Sequence, residues 1–228
     1  MRLSKFLSLS VAMSRNQAKF FIRKGRLSVD GTVVTDPEFD LVESNRVVFD
    51  GKPIAMAGFQ YIVLHKPLSY ACVAKGSEPP SVLTLLNADS DERYFYYANV
   101  LGPDATGLVL LSDDARWTQR IKRRLLKKLR VYRVGIREPL GDDGFQAARE
   151  ALLAPTADSA ASVTDLQRRD DRTLVVTMGH AGMDSIRDRF ASVGVAIETL
   201  HLQQLGRLSL GDVAEGEYLQ LGEDDIKI

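Results

Sequence analysis

Two Asp-Gly pairs, Asp30-Gly31 and Asp50-Gly51, each sit between short runs rich in β-branched and aromatic residues, LSV-DG-TVV and VVF-DG-KPI. An Asp-Gly step is a strong signal for a two-residue hairpin, because both central residues of that tight turn need positive φ. Two such hairpins close together confine the stretch to a small sheet. The segments before them read as helices. In RLSKFLSLS, Leu3, Phe6 and Leu7 recur at helical spacing; Ser14 is an N-cap for a second helix through RNQAKFFIRKG, with Ala18, Phe21 and Ile22 on one face and Gly25 at its end. The expectation for residues 1–54 is a small α+β unit that leaves one basic helical face free.

AMAGFQ, residues 55–60, reads as a linker, and 61–228 as a second domain. In it YIVLHKPLSYACV is a β run broken at Lys66-Pro67, and GSEPPSVLTLL a loop leading into a short helix. RYFYYANVL (93–101) and GLVLLS (107–112) are apolar strands flanking a Gly102-Pro103-Asp104 loop. WTQRIKRRLLKKLR is a basic helix or loop, VYRVGI a strand, and DGFQAAREALL a helix. RTLVVTM is a strand, GMDSIRDRFASVG a helix closed by Gly194, and AIETLHLQQL a strand. Strands and helices interleave without a regular βαβ period, so the fold class expected is α+β with a mixed, mainly antiparallel sheet.

Formal net charge is zero, with 30 basic and 30 acidic residues, but the charges are segregated. From Met1 to Val29 there are seven basic residues (Arg2, Lys5, Arg15, Lys19, Arg23, Lys24, Arg26) and no acid. Arg116 to Arg133 carries nine more, among them Arg120, Arg123, Arg124, Lys127, Lys128 and Arg130, again without an acid. Segregation of this kind is the electrostatic footprint of a polyanion-binding surface even when the total cancels. The one cysteine, Cys72, has no disulfide partner, which makes a reducing cytoplasm the expected compartment. No apolar run approaches a membrane span. With three scattered histidines (His65, His180, His201) there is no zinc-ligand spacing, so no metal is expected.

The first segment, RLSKFL…SRNQAKFFIRKGRLSVDGTVV, resembles the small S-four-like RNA-binding domain. The rest is similar to the pseudouridine synthases that modify small-subunit ribosomal RNA. YIVLHKPLSYACV looks like that family's N-K-P segment, TGLVLLSDDARWTQRI its T-x-G-L-x-x-L-T-D-D-G strand and turn, RVYRV its K-x-Y strand, and GEYLQLGEDDI its closing segment. The resemblance implies an S-four-like domain followed by a pseudouridine-synthase-type sheet domain, a structured RNA partner (small-subunit rRNA) and no cofactor. Nothing in the sequence suggests a coiled coil or an obligate dimer, so a monomer with no membrane partner is the expectation.

The same resemblance marks departures at chemical positions. The family's G-R-L-D-x-D-T-x-G-L precedes its strand, and the first Asp performs the chemistry. Counting back from Thr106-Gly107-Leu108, the second Asp falls on Asp104 and the first on Gly102, while the motif's Arg and Gly fall on Val100 and Asn99. A two-residue deletion would instead bring Asp104 to the catalytic position. The late motif R-x-H-Q-[V/I]-[K/R]-R-M-F aligns with GMDSIRDRF, setting Gly182 at its Arg, Asp184 at its His and Ser185 at its Gln. Arg187 keeps its basic residue. Tyr132 matches the family's active-site Tyr, and Arg130 stands for the Lys before it. The expectation is an rRNA-binding protein on an abandoned isomerase scaffold, against the alternative of a working uridine isomerase using Asp104.

Plainer roles stand beside these. Asp104 reads first as a turn or loop-capping residue, Tyr132 as a buried strand tyrosine, and Arg187 as half of a structural ion pair with Asp104 or Asp184. Trp117 has two roles open to it, stacking on a base or packing between domains.

Overall fold

The computed structural model describes residues 1–228 except 12, 43, 55–58, 87–93, 156–161 and 181–182. The chain forms two compact units, Met1–Phe59 with Asp89–Tyr94, and Gln60–Ala88 with Phe95–Ile228. Of the expected linker 55–60, residues 55–58 lie outside the described residues.

In the first unit, helices α1 (Leu3–Ser10) and α2 (Arg15–Arg23) precede strands β1 (Leu27–Val29), β2 (Thr32–Val33), β3 (Val47–Phe49) and β4 (Lys52–Ile54). Ser14 caps α2 reciprocally: its Oγ accepts from Gln17 N at 3.2 Å while Gln17 Oε1 accepts from Ser14 N at 2.9 Å. The sheet is antiparallel, in the order β2-β1-β3-β4. Both hairpins turn through left-handed residues, Asp30 (φ 49°) with Gly31 (φ 83°) and Asp50 (φ 50°) with Gly51 (φ 75°). The Asp30 carboxylate fixes its turn by accepting from Asn45 Nδ2 at 2.6 Å and Arg46 N at 2.8 Å. Leu3, Leu7, Ala18, Ile22, Leu27 and Val47 are the centre of the core, which leaves the opposite face of α2 in solvent.

The second unit runs β5 (Tyr61–Lys66), β6 (Tyr96–Tyr97), β7 (Thr106–Ser112), α3 (Ala115–Leu125), β8 (Arg130–Ile136), α4 (Asp142–Leu153), β9 (Val163–Arg168), β10 (Thr173–Met178), α5 (Met183–Ser192), β11 (Ile197–Leu205), β12 (Leu208–Ser209) and β13 (Tyr218–Leu221). They form a nine-stranded sheet ordered β13-β5-β7-β11-β8-β10-β9, with β12 on β11 and β6 on β7. Among the described strands, only the β7–β11 pair is parallel. Six of the seven residues of β7 are buried, as a continuous apolar run demands when both faces of a strand are covered. Gly107 (φ +114°) brings β7 against β11 so closely that a Cβ there would lie 2.3 Å from the Leu202 carbonyl oxygen.

The strand expected over 93–101 shrinks to Tyr96–Tyr97, with Arg93 outside the described residues. After the Ala98 N–H bonds Leu110 O at 2.7 Å, a side chain takes over the ladder. Asn99 Nδ2 donates to Leu108 O and its Oδ1 accepts from Leu110 N, each at 2.8 Å. The main chain is thereby freed to leave the sheet and form the loop through Gly102. Trp117 is buried in the second unit, tilted on Tyr61 at 4.8 Å. Among the described residues, no helix is long and apolar enough to cross a membrane.

Candidate functional site

The loop that Asn99 releases from the sheet is fixed at three further points. Leu101 is buried, Ala105 N donates to Gly102 O at 3.3 Å, and Ser69 N donates to Pro103 O at 2.8 Å. Ser69 belongs to the turn after β5, which is itself organised by a buried cation. Lys66, with no exposed surface, donates from Nζ to Pro67 O at 2.8 Å and Tyr70 O at 2.5 Å. Burial pushes its pKa down to about 8, against the attraction of Cys72, Asp104 and Glu215. In the sequence the Lys-Pro pair at 66–67 reads as a strand break and as part of a family-like N-K-P segment; the role of Lys66 in holding this turn is a property of its burial.

The loop forms one wall of a cleft of about 530 Å³ whose lining includes Asn99, Gly102, Asp104, Arg130, Tyr132 and Asp184. Tyr132 comes from β8 and is almost wholly buried. Burial raises its pKa above the ordinary tyrosine value, and the neighbouring Arg130, charged and hydrogen-bonded to it, pulls it partly back. Lys122 and Arg123 of α3 complete a cationic rim, and the exposed Val100 adds an apolar lip.

Asp104 and Arg187 meet here. The Arg187 guanidinium lies 2.7 Å from Asp104 Oδ2 and 3.3 Å from the Asp104 carbonyl oxygen. A Cβ built on Gly102 would lie 2.7 Å from Asp104 Oδ1, so the Asp104 carboxylate occupies the space into which a side chain at 102 would grow. The pair is not sealed: the Asp104 side chain is 60% exposed and that of Arg187 29%. Of the residues singled out in the sequence, the fold therefore brings Gly102, Asp104, Tyr132, Arg130, Asp184 and Arg187 together. Gly182 lies outside the described residues.

The basic residues divide into two groups. In the first unit, Arg2 pairs with Asp40 at 3.1 Å and Glu38 at 3.8 Å, and Lys19 with Glu38 at 3.4 Å. Arg26 Nε donates to Asp50 at 2.6 Å while its guanidinium lies over the Phe21 ring, 4.4 Å from the centroid. These three cations knit their own domain. Lys5 is half-buried, whereas Arg15, Arg23 and Lys24 are exposed. In the second unit, α3 starts at Asp114, whose carboxylate accepts from Arg116 N and Trp117 N at 2.9 and 3.1 Å. Burying Trp117, Ile121 and Leu125 turns Arg116, Arg120, Arg123 and Arg124 outward along one shallow groove. Arg120 is tied to Glu223. Lys127 is exposed and Lys128 half-buried beyond the helix end.

His65 and His201, which had no partner pattern in the sequence, meet edge to face at 5.1 Å between ring centroids. His201 Nδ1 shares a 2.8 Å hydrogen bond with Thr106 Oγ1, and His65 Nδ1 one of 2.7 Å with Val213 O. Burial, then the charge of Arg133 and the neighbouring His65, pushes His201 down to about 4, with Glu215 opposing.

A small helix-and-hairpin unit ahead of a mixed sheet with a cationic cleft defines the class: an S4 domain joined to a pseudouridine-synthase-type domain. The S4 domain family matches residues 1–54. A crystal structure of a pseudouridylate synthase superimposes with a TM-score of 0.61 at 25% identity, covering 99% of this chain and 97% of that one. The ribosomal small subunit pseudouridine synthase A of Salmonella typhimurium is 32% identical over 238 residues, 99% of this chain and 98% of its own. That of Yersinia pestis is 31% identical over 231 residues (99% and 97%), and that of Escherichia coli K12 30% over 228 (99% and 98%). The chain belongs to the ribosomal small subunit pseudouridine synthase A family.

Proposed function

We propose that this member of the family binds small-subunit ribosomal RNA without isomerising uridine. The observation that carries the reading is the absence of a side chain at position 102, combined with an Asp104 carboxylate that fills the vacated space and holds Arg187. Converting uridine to pseudouridine means extruding the base, breaking its N-glycosidic bond and rejoining it through carbon. A carboxylate must be aimed at the reacting sugar or base and kept ionised by a cation. Arg187 supplies the cation, but position 102 supplies no carboxylate. Losing a nucleophile costs on the order of four to six decades in rate. Asp184, at the motif's His position, adds negative charge to a cleft that has to admit an anionic nucleotide.

RNA binding rests on the outward arginines of α3 and the exposed cations of α2. Each phosphate contact releases counterions, so binding to a small-subunit rRNA fragment falls steeply with salt. Titrating that fragment at several salt concentrations, and then assaying the bound RNA for pseudouridine, tests the reading. Tight, salt-sensitive binding without product supports it; weak binding insensitive to salt overturns it.

One observation favours a second reading, an active isomerase using Asp104: the carboxylate is already beside the 102 position and already paired with Arg187. Its exposure weighs against it, since a catalytic carboxylate misplaced by even ~1 Å forfeits about 100-fold in rate.

A further inference from the structure

Phe20 is an aromatic ring placed where its helix has no use for one. It lies on the outer face of α2 and is 55% exposed, while Ala18 and Ile22 on either side of it are fully buried. Its helical-surface neighbours at i−4, i−3, i+3 and i+4 are Asn16, Gln17, Arg23 and Lys24. None is acidic, and the last two are exposed cations. The ring is not loose. It meets Phe21 edge to face at 5.5 Å between centroids, and Phe21 is clamped by Phe49 at 5.7 Å and by the Arg26 guanidinium. Lys24 Nζ stands 5.7 Å from the Phe20 centroid. A braced ring with ammonium and guanidinium groups beside it, and amides one turn away, matches a nucleotide: base on the ring, flanking phosphates on the cations.

We propose that Phe20 is a stacking platform for one unpaired base of the bound RNA, with Arg23 and Lys24 taking the flanking phosphates. A base inside a continuous duplex is already stacked on both sides and offers no face, so the platform selects RNA with an unpaired nucleotide. This rests on the chain being an RNA-binding protein and adds what kind of RNA it recognises. The cations favour RNA over an apolar protein partner, because an apolar partner would have to desolvate Arg23 and Lys24 without compensation.

The test uses the full chain and two RNAs: a small-subunit rRNA hairpin with 2-aminopurine in its unpaired loop, and the same strand closed into a continuous duplex. The wild type binds the hairpin more tightly and quenches its fluorescence. Phe20→Ala lowers hairpin affinity roughly 5- to 150-fold, as removal of one stacked base predicts, with the quench lost and the salt slope and duplex affinity unchanged. Phe20→Trp retains both. Lys24→Gln instead lowers the salt slope by about 0.7–0.9. Phe20→Ala that binds the hairpin like the wild type, or that loses equally on both RNAs, overturns the platform while leaving RNA binding intact. A wild type that binds neither RNA overturns RNA binding itself. Phe20 is exposed and lies outside the core cluster of its unit, so folding of the variant, checked by circular dichroism, is expected to be unchanged.

Discussion

The Asp104 carboxylate lies in the space that a side chain at Gly102 would enter, 2.7 Å from the position of its Cβ, and is held there by Arg187 at 2.7 Å. The glycine is not demanded by the backbone: Gly102 is outside the left-handed region, and among the described residues the only close atoms belong to the end of the flexible Asp104 side chain. Gly102→Ala should therefore shift the urea unfolding free energy by less than about 1 kcal/mol, because Asp104 can swing aside and the exposed ion pair it gives up is worth little. A loss of several kcal/mol would mean that glycine at 102 is a structural requirement rather than a lost nucleophile.

Gly107 gives the opposite expectation. A methyl group there would sit 2.3 Å from the Leu202 carbonyl oxygen and 2.6 Å from its nitrogen, on a backbone at φ +114°. Neither obstacle is a movable side chain, and the β7–β11 pair would have to separate. Gly107→Ala should cost roughly 3 kcal/mol or more in the same urea experiment.

His201 makes stability pH-dependent in a defined window. Its folded pKa of about 4 lies below the ordinary 6.5. As pH falls between those values the unfolded chain takes up a proton that the folded chain refuses, so stability present above pH 6.5 is lost progressively towards pH 4. His201→Gln should lower stability at pH 7, through the Thr106 hydrogen bond, yet lose less than the wild type between pH 7 and pH 4.5. A proton NMR titration placing His201 near pH 6.5 would refute this.

The arginines of α3 should act as phosphate contacts. Changing Arg116, Arg123 and Arg124 to Gln should weaken binding to small-subunit rRNA and reduce the salt slope by about 0.7–0.9 per contact removed. Arg2→Gln and Lys19→Gln should change it less, since those cations are already paired with Glu38 and Asp40. Equal effects from both sets would contradict that division.

The parts of this fold legible from the sequence are those set by local chemistry: the N-cap at Ser14, the two Asp-Gly turns, and the helical spacing that buries Leu3, Phe6 and Leu7 in α1 and Ala18 and Ile22 in α2. What escaped depends on contacts across the chain. Asn99 replaces main-chain pairing with its side chain through Leu108 and Leu110, so a strand expected over 93–101 ends early. The acid-free run 1–29 is not acid-free in space, because Glu38, Asp40 and Asp50 fold back onto three of its cations. Motif counting set Gly102, Asp104 and Arg187 in one site; that Asp104 would take both the space and the cation is a matter of geometry.

The most direct measurement is carbodiimide-based detection of pseudouridine in small-subunit rRNA incubated with the wild type, Asp104→Asn and Gly102→Asp in parallel, with binding of each to the RNA verified. Neither the wild type nor Asp104→Asn should give product while RNA remains bound. Gly102→Asp restores the missing carboxylate within reach of Arg187, and any product should appear there alone. Product from the wild type that disappears in Asp104→Asn would overturn the loss of catalysis and make Asp104 the working nucleophile.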